Sequence, residues 1–374
     1  MRVTGGTRRR ALPLSLAAGA AALALVAAGC GSDNNKSSTS SSASSGGKKT
    51  IAFLLPENQT ARYESSDRPL FEQDVAQLCP DCKVLYSNAT QDASKQQQQA
   101  EAALAQGVDV MVLDPVDGAA AAAIVQQANA KKVPVISYDR LLLNSKPDYY
   151  AEFDSPSVGK IQANALVEKL KADGKKGSVV MINGAPTDNN AKLFKQGAHS
   201  VLDSSGFKIA KEYDTKDWLP ANAQTEMEQA ISALGKSGFV GVYAANDGTG
   251  GAAIAAMKGA GIDPSTRPVT GQDAELAGIQ RIVAGEQYMT VYKPIKPLAL
   301  TAATWAVALA QGKTVTGTNT KENNGTVDVP SLKIPVKAVT ADKVKSTVVA
   351  DGYWKASEIC TAKYASACAK LGIK

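Results

Sequence analysis

From residue 50 onward the apolar residues fall into two alternating patterns. Short unbroken runs such as IAFLL (51–55), KVLYS (83–87), VDVMVLD (108–114), VPVISYD (133–139), YYAEFD (149–154), GSVVMING (177–184) and FVGVYAAND (239–247) read as strands, mostly buried on both faces. Between them lie stretches with helical spacing: 67–78, 94–107, 117–130, 157–172, 189–202, 221–234 and 295–310. The stretch 268–297 repeats the pattern in miniature, with a short strand at 268–270 and a helix whose Leu276, Ile279, Ile282 and Val283 share one face. A second strand at 288–292 closes it. Repeated βα units of this length predict parallel sheets covered on both faces. There are too many strands for one small sheet. The expected fold is α/β with two doubly wound, Rossmann-like parallel-sheet domains, followed by a tail with short strands near 327–338.

The first 50 residues break this pattern. Arg2, Arg8, Arg9 and Arg10 precede an Ala/Leu/Val run that ends at Ala27-Ala28-Gly29-Cys30, as in a bacterial lipoprotein signal. The expectation is a signal peptide over 1–29, lipid on Cys30 and a Ser-rich tether over 30–49. Of 41 Lys and Arg, 37 then remain against 35 Asp and Glu, a near-neutral balance. No basic stripe with interleaved aromatics is present, so nucleic acid is not an expected partner. The other cysteines fall as local pairs, Cys79-Pro-Asp-Cys82 and Cys360 with Cys368. Export favours a disulfide for each over a zinc site or a redox motif, because Cys79 follows a helix instead of starting one. The lone His199 rules out multi-histidine metal sites, and no metal is expected.

Polar and aromatic residues gather just past the strand ends, where ligands bind in open α/β sheets. They are Arg62 and Tyr63, Asp139 and Arg140, Asp188 and Asn189, Trp218, Asn246 and Asp247, Asp273, and Lys293. One such residue is ordinarily a helix cap or loop group. Recurrence at seven strand ends points to one site. The set suits a neutral, hydroxyl-rich ligand: Arg forks span adjacent hydroxyls, and aromatics cover apolar ring faces. Two rivals compete. The run Gly248 to Ala253 fits a dinucleotide fingerprint, G-x-G-x-x-A, after a strand. A carboxylate pair such as Asp139 with Asp273 would serve a glycosidase at the right separation.

The segments ARYESSDRPLF, VPVISYDR, INGAPTDNNAKLFKQGA, DWLPANA, AANDGTGGAAIAAMKGAG and GQDAELAGIQRIVAGEQYMTVYKPIKP resemble the type I periplasmic sugar-binding proteins of the ribose/xylose kind. Tyr63 departs from the family's commoner Trp. The resemblance implies two lobes joined by three crossings, near Glu152, Val291 and Val327. One lobe would hold 50–152 and 291–326, the other 153–290 and 327–374. It implies a monosaccharide, D-xylose first, held without catalysis or cofactor by Arg62, Asp139, Arg140, Asp188, Asn189, Trp218, Asn246, Asp273 and Lys293. It also implies a monomer that serves an ABC permease from the outer face of the cytoplasmic membrane. A multi-sugar binder feeding a chemoreceptor or sensor kinase is the related alternative, and a secreted glycosidase the enzymatic one.

Overall fold

The protein is described over residues 48–374 by a computed structural model. The expected signal peptide, Cys30 and most of the tether lie outside the described residues. Five strands come first: β1 (Thr50–Leu55), β2 (Lys83–Asn88), β3 (Val110–Leu113), β4 (Val135–Tyr138) and β5 (Tyr149–Phe153). They are followed by β6 (Ser178–Asn183), β7 (Lys208–Asp214), β8 (Gly241–Ala244), β9 (Met289–Tyr292), β10 (Thr320–Asn323), β11 (Asp328–Ile334) and β12 (Lys337–Thr340).

The first lobe is one sheet in the order β10-β11-β5-β4-β3-β1-β2, parallel except where β10 meets β11. Strand β1 explains why its sequence has no polar alternation. Ile51, Phe53 and Leu55 pack with Phe71, Val75 and Leu298 on one face. Ala52 and Leu54 pack with Ala100, Leu104 and Ile124 on the other. Each large side chain so buried contributes roughly 1.5–3 kcal/mol. The order reverses between β1 and β3, and a crevice opens outside the carboxyl ends at such a point.

The second lobe repeats the scheme. Strand β6 pairs in parallel with β7 and β8. Val242 bridges to Val269 and Gln272 to Val291, so the run continues through 269–272 to β9, and β12 closes it antiparallel. The expected strand at 268–270 is thus a bridge-level strand. Val179 and Met181 face one helical layer, Val180 and Ile182 the other.

The chain crosses between lobes after β5, at Asp154; after β9, at Lys293-Pro294; and after β11, at Pro335-Val336. The first two lie within a few residues of the expected positions. The third does not lie at Val327, because β11 pairs in parallel with β5 and so keeps 328–334 in the first lobe. Both cysteine pairs form disulfides, and Cys360–Cys368 ties together two short helices, Ala356–Ile359 and Ala365–Lys370. No helix of the described residues is long and apolar enough to cross a membrane.

Candidate functional site

The carboxyl ends of the two sheets face one another across a small polar cavity of about 20 Å³. A single water needs roughly 10–15 Å³ on the same measure, so the cleft is nearly closed on its own side chains.

On the first lobe, Arg62 sits where the loop after β1 enters a helical turn, and it is 2% exposed. Its Nε and Nη2 donate to both oxygens of Asp67 at 2.8 and 2.7 Å, and its Nη1 donates to Asp139 Oδ1 at 2.9 Å. Tyr63 donates its hydroxyl to Asp139 Oδ2 at 2.8 Å, and Tyr138 donates to Asp67. Burial works against the Asp139 charge, but Arg62, Lys293 and Arg140 outweigh it and hold the carboxyl below the usual carboxylate range. Next to it, Arg140 lies 3.1 Å from Asp188 Oδ2, 3.6 Å from Glu57 and 3.6 Å from Asp114. Burial, reinforced by Asp139, pushes the Asp114 carboxyl up.

The second lobe builds its half from helix starts and tight turns. Asp188 caps the helix Asn189–Leu202 by accepting from Asn190 N, and its other oxygen accepts from Trp218 Nε1 at 3.0 Å. Asn246 caps the helix Asp247–Gly259 in a reciprocal capping box with Thr249. Lys293 follows β9, with Nζ 3.5 Å from Asp273 Oδ1 and about 5 Å from the rings of Phe153 (5.3 Å) and Phe194 (5.1 Å). A Cβ at Gly184 would lie 2.0 Å from Trp218 Cη2, so only glycine lets the indole lie against that strand end. Asp139, Trp218 and Asp273 all adopt left-handed backbone, with φ of 56, 55 and 88°. Such conformations cost of order 1–3 kcal/mol each and collect at ligand sites.

Among the described residues, three buried acceptors of the cavity lining have no hydrogen-bond partner, Asn190 Oδ1, Gln272 Oε1 and Asp273 Oδ1, and the donor Arg140 Nε has none either. Buried polar groups are normally paired, at a cost of about 1–3 kcal/mol when they are not. Acceptors beside Arg62, Arg140 and Lys293 can take O–H donors while the cations donate to the same hydroxyls' lone pairs. Trp218, Tyr63 and Phe194 supply apolar surface.

Of the eleven side chains singled out in the sequence, Asp247 is buried behind the cavity, accepting from Glu275 N, Gln287 Nε2 and Thr290 Oγ1, and nine line it: Arg62, Tyr63, Asp139, Arg140, Asp188, Trp218, Asn246, Asp273 and Lys293. Asn189 does not. It is the first residue of its helix and half-buried, and Asn190 takes the lining position, donating to Asp139 O at 2.9 Å and Glu152 Oε2 at 3.1 Å. One residue along a helix turns the side chain by 100°, and the Asp188 cap decides which asparagine faces in. Thr60, Phe194 and Gln272 were missed. Phe194, four residues after Asn190, lies on the same helix face, a spacing visible in the sequence. The Gly248–Ala253 run has a packing role: a Cβ on Gly250 would meet Thr270 O at 2.9 Å, and one on Gly251 the Arg281 guanidinium at 2.7 Å. His199 is remote from the cavity lining, between Asp203 (3.0 Å) and Glu212 (3.2 Å).

A family model described as a periplasmic binding protein domain matches residues 51–314. The chain is 39% identical to the D-xylose-binding periplasmic protein of Escherichia coli K12, over 78% of this chain and 87% of that protein. It is 33% identical to a multiple sugar-binding periplasmic receptor of Rhizobium radiobacter, over 83% of this chain and 92% of that one. A crystal structure of a carbohydrate transporter solute binding protein from Chloroflexus aurantiacus, in complex with D-glucose, superposes with a TM-score of 0.75 at 32% identity. It covers 83% of this chain and 98% of that one. This chain belongs to the periplasmic binding protein family, a binding protein and not an enzyme.

Proposed function

We propose that the chain captures one monosaccharide in its ring form, D-xylose first, between its lobes and delivers it to an ABC-type importer. The observation that carries this reading is the cluster of unpartnered acceptors, Asn190 Oδ1, Gln272 Oε1 and Asp273 Oδ1, set opposite buried cations in a polar cleft between the lobes. Several O–H donors on one small ring answer that arrangement, and an anion would not. The 39% identical xylose-binding relative supports the choice of pentose.

Binding works by closure. The lobes already touch through Arg62 and Asp273 (3.8 Å), Arg140 and Asp188 (3.1 Å), and Asn190 with Asp139 O (2.9 Å). A sugar that bonds both halves adds to these contacts only in the closed form, so it shifts the population toward closure. The closed face is then what a permease meets. Lipid on Cys30 would keep a monomeric body at the membrane; Cys30→Ser should move it to the soluble fraction, and membrane retention counts against the anchor.

The test is a thermal-shift and calorimetry panel of D-xylose, L-arabinose, D-ribose, D-glucose, D-galactose and myo-inositol. A binding sugar at a hundred times its Kd raises stability by about 2.7 kcal/mol. Binding of none of them, or hydrolysis of an aryl xyloside, defeats the reading. A second reading, a binder of several sugars, has the 33% identical multiple sugar-binding receptor in its favour; comparable affinity for xylose and glucose would select it.

A further inference from the structure

The turn that bears Asp273 is held by a bond from a remote part of the chain. Asp273 and Ala274 are consecutive left-handed residues, with φ of 88 and 51°. Neither is glycine, so the turn needs outside support. Three bonds come from the second lobe's own sheet and cap: Asp273 N to Val291 O (2.9 Å), Ala274 N to Thr290 Oγ1 (3.2 Å) and Glu275 N to Asp247 Oδ2 (2.9 Å). The fourth comes from Trp354, whose Nε1 donates to Ala274 O at 2.8 Å across 80 residues. Trp354 lies beyond residue 314, where the family match ends.

The tail around Trp354 is packed onto the same turn. Ala274 is fully buried in a cluster with Val344, Val348, Ile359 and Cys368, and the Cys360–Cys368 disulfide closes that segment. Beside Trp354, Tyr353 stacks edge-on against Tyr292 (5.4 Å) and packs against the first lobe's core. One aromatic pair therefore backs the Asp273 turn and touches the first lobe's core from outside the cavity.

We propose that Trp354 is a positioning residue for the binding site: its indole N–H fixes the Asp273–Ala274 turn and thereby aims the Asp273 carboxylate into the cavity. Its effect on affinity rests on the sugar-binding reading; its effect on the turn does not.

Trp354→Phe removes the donor and keeps an aromatic ring. Benzothienylalanine at 354, which keeps the bicyclic shape and lacks only the N–H, covers the case in which Phe fails to fold. Hydrogen exchange on the full chain without sugar reads the turn, and calorimetry with D-xylose reads the site. The expected result is faster exchange confined to 271–276, and affinity weaker by about tenfold, the worth of one lost hydrogen bond. That loss should vanish in an Asp273→Asn background, since residues acting through one group are not additive. Unchanged exchange at 271–276, or a loss that adds in full to Asp273→Asn, overturns the proposal. If the wild type binds no sugar, the functional reading falls while the exchange arm still decides this one.

Discussion

On the first lobe the network around Arg62 is committed to itself, whereas on the second several lining acceptors are left open. Arg62 spends its donors on Asp67 and Asp139, and Tyr63 and Tyr138 close the same network. Among the second lobe's lining groups, Asn190, Gln272 and Asp273 each keep an oxygen without a partner. Helix caps and left-handed turns fix where those oxygens sit. The Arg62–Asp67–Asp139 network is thus a self-paired platform, while Arg140 beside it and the second lobe's acceptors keep groups that a ligand completes. The teaching is that fold stability and ligand affinity are separable here by network.

The largest expected effect tests the platform. Arg62→Ala strips Asp67 and Asp139 of their common partner in a buried site, which costs roughly 3–5 kcal/mol for a broken buried pair. Urea unfolding should show that loss together with lost sugar binding; a variant of wild-type stability would erase the contrast between networks. Asp273→Asn tests the other half. Asparagine tolerates left-handed backbone, so the unfolding midpoint should stay close to wild type while affinity falls roughly 100-fold, the worth of a charged hydrogen bond. Destabilisation equal to that of Arg62→Ala would break the comparison.

Gly184→Ala sharpens it with a smaller step. The new Cβ collides with Trp218, and displacing that indole should weaken binding by about tenfold, with a matching change in tryptophan fluorescence. The last effect is one of pH. Burial raises the carboxyl of Asp247, which accepts from Glu275 N behind the open-acceptor half, to about 7, with Arg281 opposing. The folded state then holds a proton that the unfolded chain releases above about pH 4. This group's contribution to stability is full below pH 4 and is lost as pH rises toward 7. Unfolding measured from pH 4 to 7 should show a gentler fall in Asp247→Asn than in wild type; an unchanged slope would remove Asp247 from the account. Asp139, held low instead, acts in the opposite sense and only at lower pH.

Much of the fold was legible. The helices at 189–202 and 295–310 have the bounds that the apolar spacing predicts, because spacing and caps are local properties. The misses were non-local or a matter of one residue. Strand β11 reads as a strand from its own residues, but its lobe depends on pairing with β5, about 180 positions earlier. Asn190 displaced Asn189 because helix phase rests on the cap bond from Asp188. Phe194 was readable from its spacing to Asn190. Glu152, Glu57 and Asp114 were not, since nothing in a short acidic stretch says which carboxyl will be buried.

What residue order determined by itself was the alternation of buried strands with amphipathic helices, and hence polar residues past the strand ends. Periodicity and turn chemistry act within a few residues, so the chain states them openly. Tertiary structure alone decided which of those ends meet, which oxygens stay unpaired, and that Trp354 reaches back to Ala274. Each of these depends on groups tens to hundreds of positions apart arriving within 3 or 4 Å, and a linear pattern holds no distance between them.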